Sequence, residues 1–247
     1  MCFRFLLISI ILLSTLSPGF CQENEEYLFP SQGDYPVLKK TGKQADDFVP
    51  RGWTVLAKAA GDLNDDRIED CALVVKGESE KFKVRNFDKL GVDLFDTNPR
   101  ILIILFGEKA GYKLATASKT IVPIPDTPLM EEPVSELVVK DGVLEFEVQE
   151  TFNAGSWRIS ISRYKFRFEK GDFYLIGADT DEIHRGNGDQ IEVSYNFLTG
   201  KAAVKLSNMS DDNEVAPQWK KIKPPYRKTI ESLKKLYQWE AIPGYKL

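Results

Sequence analysis

Four oxygen-bearing side chains recur in the stretch GDLNDDRIEDCALVV, residues 61–75: Asp62, Asn64, Asp66 and Asp70. Counted from Asp62, they occupy loop positions one, three, five and nine, and Ile68 at position seven can offer its backbone carbonyl. Alternate spacing lets a tight turn aim successive side chains at one point. A hard cation that takes six to eight oxygens, namely calcium, suits such a set. The loop departs from an EF-hand, because Arg67 stands where that motif has its glycine and Leu73 where it has its bidentate glutamate. The residues after the loop also read as strand and not helix. The competing reading is an Asx-rich turn that holds no ion.

Other residues with chemical potential form weaker patterns. His184 is the sole histidine, which excludes zinc sites built on two or three histidines. It has no G-x-S-x-G nucleophile elbow to serve, and the chain carries no glycine-rich phosphate loop. Asp179, Asp181, Glu182 and His184 look like a cluster but lack a ligand spacing, and they read as a solvated loop between two hairpins. Pairs such as Glu145 and Glu147 are the carboxylates a glycosidase would need, yet among 37 acidic residues such pairs carry little information. Asn208-Met209-Ser210 fits a glycosylation acceptor. Cys71 opens an apolar alternation with Leu73 and Val75, beside Glu69 and Asp70, so it reads as a buried and unreactive thiol.

The elements that must position these groups begin after an export segment. Arg4, an apolar run over residues 6–16, and then Ser17, Pro18 and Gly19 follow the order of a secretory signal peptide. The run is short for a membrane helix, which needs about 20 residues. Cleavage is expected after Cys21, with lipid attachment at Cys21 as the alternative. Processing leaves Cys71 alone, so no intramolecular disulfide forms. It also removes Arg4, making the chain one charge more negative than the −4 of the whole. That balance argues against nucleic acid as a partner. No second apolar span is present, so no transmembrane helix is expected after processing.

Residues 22–50 read as an extended, turn-rich lead-in, with room for a short helix at 43–48. Residues 51–247 read as a single, mainly β domain of antiparallel hairpins or meander, either one sheet or a sandwich. WTVLAKA, CALVVK and YKLATAS are strand-like, and RILIILF has the continuous β-branched character of a strand buried on both faces. Residues 77–99 form a charged excursion. Across 134–206, hairpins are expected around Asp141-Gly142, Gly171 and Gly200. In RYKFRFE, Tyr164, Phe166 and Phe168 share one face while Arg163, Lys165 and Arg167 form a wet face opposite. Ile230, Leu233, Leu236 and Tyr237 have helical spacing and predict a C-terminal helix at about 226–239.

The loop and its surroundings, about residues 53–115, resemble an FG-GAP or VCBS repeat, the blade unit of integrin-type β-propellers. In that family a glycine-aspartate turn follows one strand, the loop runs into the next, and a further strand ends in a glycine-rich turn, as ILIILFGEKAGYKLA does here. The resemblance implies Asp62, Asn64, Asp66 and Asp70 as side-chain calcium ligands and Ile68 as the carbonyl ligand. No second copy of the loop occurs, so a stand-alone β domain is expected and not a propeller. The functional expectation is a secreted or periplasmic, non-enzymatic calcium-binding module that binds a protein or glycan at the cell envelope. The alternative is a carboxylate-dependent hydrolase of envelope polymers.

Overall fold

The structure, a computed structural model, describes residues 27–87, 89–211, 215–224, 227–233, 236 and 239–247. The expected signal peptide, Cys21 and the first residues of the lead-in lie outside the described residues, as do Tyr226 and Tyr237. In chain order the first strands are β1 (Thr41–Gly42), β2 (Trp53–Gly61), β3 (Asp70–Gly77), β4 (Lys83–Arg85), β5 (Leu94–Asp96), β6 (Arg100–Glu108) and β7 (Gly111–Ser118). The second group is β8 (Val134–Lys140), β9 (Val143–Thr151), β10 (Arg158–Glu169), β11 (Asp172–His184), β12 (Asp189–Asn196), β13 (Lys201–Asn208) and β14 (Gln218–Lys221).

Among the described residues these strands make an antiparallel five-stranded sheet, ordered β1-β7-β6-β3-β2, and a seven-stranded meander running from β8 to β14. The charged excursion folds as a separate ribbon of β4 and β5. Sequential pairing is a product of turn chemistry. Asp141 and Gly142 both take positive φ, at 52° and 73°, the combination a two-residue hairpin turn of type I′ needs. Lys170 and Gly171 do the same between β10 and β11.

The smaller sheet is buried on both faces. Ala72, Val74, Leu102 and Ile104 join the core shared with the meander, alongside Phe146, Phe166 and Val204. Cys71, Leu73, Val75, Ile101, Ile103 and Leu105 point the other way and are covered by the lead-in, through Tyr35, Leu38, Ala45 and Phe48. The lead-in is therefore a structural cover, not a tether. It carries a 3-10 helix at Ala45–Phe48, where the short helix was expected, and β1 pairs with β7.

The C-terminal helix is a correction. Among the described residues of 227–239 no α-helix forms. Leu175 N–H donates to the Lys228 carbonyl and Ile230 N–H to the Phe173 carbonyl, so this stretch bridges to the start of β11. Those bonds use backbone groups that a helix would need. Ile230, Leu233 and Leu236 are nonetheless buried in the shared core. The apolar spacing thus identified the inward residues but not the backbone that carries them.

Candidate functional site

The Asp62 loop is the connection between β2 and β3, and hydrogen bonds to its own backbone define its shape. Asp62 Oδ1 accepts from the N–H groups of Asp65 (2.7 Å), Asn64 (3.2 Å) and Asp66 (3.3 Å), and Oδ2 accepts from Arg67 N–H (2.8 Å). Asn64 Oδ1 accepts from Asp66 N–H, and Asn64 Nδ2 donates to Asp66 Oδ2 at 3.1 Å. Asp66 Oδ1 in turn accepts from Ile68 N–H at 2.8 Å. Asp65 and Arg67 sit at φ 63° and 66°, so the sixth loop position adopts the left-handed conformation normally left to glycine.

Asp70 lies behind this turn, fully buried. Its oxygens accept from Leu63 N–H at 2.8 Å and from Gly107 N–H, on β6, at 2.7 Å. Gly107 is required there because a Cβ would collide with the Glu69 carbonyl oxygen. The two strands and the loop are thereby locked together. Burial pushes the Asp70 carboxyl up, against those two N–H bonds, and the negative charges of Asp66 and Asp62 add to the rise. Desolvation acts upward on Asp62 too, but its four backbone N–H bonds outweigh it and hold that carboxyl below the ordinary carboxylate range.

The structure thus brings Asp62, Asn64 and Asp66 into mutual contact and anchors Asp70 immediately below them. It does not converge three carboxylates: among the described residues no three His, Cys, Asp or Glu side chains are gathered as a metal cage. The donor set is still one of hard oxygens, suited to calcium in kind. A cleft of about 590 Å³ lies beside the loop, walled also by Asp141, Gly142, Arg167 and Phe168. The two clearest local signals in the sequence, the aspartate loop and the Asp-Gly turn, are neighbours in space.

The weaker cluster of the second half separates. Asp179, Asp181, Glu182 and His184 stand on β11 and not in a loop, so alternation sends Asp179 and Asp181 to one face and Glu182 and His184 to the other. Asp179 bonds Lys165 and Ser194, Asp181 accepts from Gln190 at 2.9 Å, and Glu182 pairs with Arg158 at 2.9 Å. Arg163 and Arg167 are matched by Glu147 and Glu169, which makes the basic stripe an ion-paired sheet face. Cys71 is buried, and that burial pushes its thiol up to about 11.

Sequence reasoning passed over Ser160 and Ser162. Counting back by twos from Phe166 and Tyr164 puts both on the inward phase of β10, where apolar residues are expected. That break in the pattern was the available signal. No protein-family model, curated protein or solved structure matches the chain.

Proposed function

We propose that this protein is an exported, non-catalytic β module, stabilised by calcium at the Asp62 loop, that binds a protein or glycan at the cell envelope. The observation that carries this reading is the left-handed Arg67. The resemblance to FG-GAP and VCBS loops asks for that backbone at the sixth position, although the residue is not glycine. Asp62, Asn64 and Asp66, with Asp70 and the Ile68 carbonyl, would hold the ion. Bound calcium would neutralise carboxylates that otherwise repel one another. Export rests on the order of charged, apolar and small residues before Gln22.

Calcium binding only the folded chain raises its melting temperature by mass action. With no bidentate glutamate in the loop, the dissociation constant is expected at about 0.1–1 mM, the range of extracellular modules. Magnesium should stabilise less, because it demands a tighter octahedral cage. Asp66→Ala should abolish the calcium shift, and Glu69→Ala should preserve it. The shift should also be smaller near pH 4 than at pH 7. Asp70 has a raised pKa and Asp62 a lowered one, so Asp70 protonates before Asp62 as pH falls, and protons compete with the metal. An unchanged melting curve at several times the expected dissociation constant would leave only the ion-free turn.

A further inference from the structure

A second cavity lies at the opposite end of the meander's inner face. It encloses about 500 Å³, within the range of small-molecule sites, about 300–1,000 Å³. Strand register builds its floor. Glu150 on β9 lies opposite Ser160 on β10, which lies opposite Glu182 on β11; one step inward, Ser162 lies opposite Thr180. Ile191 and Val193 of β12 and Tyr245 close the sides.

Ser162 is the informative residue. Its side chain is 1% exposed and lines the cavity, yet its Oγ makes no hydrogen bond. A buried hydroxyl left unpaired costs about 1–3 kcal/mol, so the position is unfavourable for an empty core and favourable for a ligand that meets it. The walls set the ligand's character. Glu182 is already paired with Arg158, and the remaining charged groups, Glu150 and Lys246, are of opposite sign. The cavity therefore has no net charge with which to select an ion. It offers hydroxyl and carboxyl groups on the floor and apolar surface at the side.

We propose that this cavity binds a sugar unit of a glycan, with Ser160, Ser162, Glu150 and Thr180 meeting its hydroxyls and Ile191, Val193 and Tyr245 its C–H surface. The inference deepens the binding-module reading and rests on it for the class of partner, but not on the calcium loop.

Saturation-transfer NMR on the full chain tests it, with glucose, N-acetylglucosamine, cellobiose and chitobiose as probes at about 10 mM, a concentration that reveals weak sites. Transfer is expected from at least one sugar and not from free lysine. Ser160→Leu fills a half-buried position and should abolish it. Ser162→Ala removes the unpartnered hydroxyl without adding atoms and should weaken binding about tenfold. Its melting temperature should hold or rise, which separates lost recognition from lost folding. Asp66→Ala should retain transfer whatever calcium does. Transfer from none of the four sugars, from lysine instead, or unaffected by both serine variants would overturn the proposal. So would transfer lost in Asp66→Ala but kept in Ser160→Leu.

Discussion

Arg67 holds a conformation that costs a side-chain-bearing residue about 1–2 kcal/mol. Replacing it with glycine removes that cost but gives the unfolded chain about 0.4–1 kcal/mol of extra freedom. Arg67→Gly is therefore expected to stabilise the protein by about 0.5–1 kcal/mol, read as a rise of about 2 °C in melting temperature. A fall would mean that the arginine side chain contributes contacts worth more than the strain. Cys71 gives a second expectation. With its thiol at about 11, roughly one molecule in a thousand is thiolate at pH 8, and burial blocks access as well. A disulfide reagent should leave Cys71 unlabelled over hours in the native protein and label it at once in denaturant. The chemistry of both residues was legible in the sequence, because each depends on its immediate neighbours. Ser162 was not read, since its unpaired state depends on three strands meeting.

Strands and their turns were legible wherever partners are consecutive. The Asp141-Gly142 hairpin needs two residues and their dihedrals, and RILIILF shows its double burial in its composition. Elements held by distant partners were not. The stretch at 227–233 has helical spacing, but β11 captures its backbone. Arg100 was read only as a strand's first residue, although its guanidinium is fully buried. It pairs with Glu132 at 2.7 Å and donates to the carbonyls of Asn98 and Asp96. No local pattern announces a partner thirty-two residues away. Removing Glu132 strands that charge between β6 and the ribbon. Glu132→Ala should cost about 2–3 kcal/mol, less than for a fully buried pair because Glu132 is partly exposed. Urea unfolding measures it, and a loss under 1 kcal/mol would show that the two carbonyls suffice.

At the scale of the molecule, two sheets share one core, and the two proposed sites stand apart. The Asp62 loop lies beside the β8–β9 turn, whereas the Ser162 cavity opens where Glu150 and Glu182 end their rows. Between them run the packed rings of Phe106, Phe168 and Phe173 near the loop, and those of Tyr195, Phe197 and Trp239 farther along the meander. Ion occupancy at one site and sugar occupancy at the other are therefore expected to be independent. Fold class was legible in the sequence because alternation is a local property. The division into two sheets was not, because nothing in a strand's own residues says which neighbour's face it will cover.

The cover over the smaller sheet has a consequence in time. β1 is made early, but its partner β7 comes about seventy residues later, and closing such a loop is entropically slow to repay. Until β7 exists, β1 has no partner to hold the lead-in over Leu73, Ile103 and Leu105. The nascent protein must therefore pass through a stage with a bare aliphatic face, which is when it is most exposed to aggregation. A dye that fluoresces on apolar surface should brighten and then dim during refolding. Phe48→Ala, which weakens the cover alone, should slow the dimming and leave the brightening unchanged. That interval is the one a chaperone would need to guard.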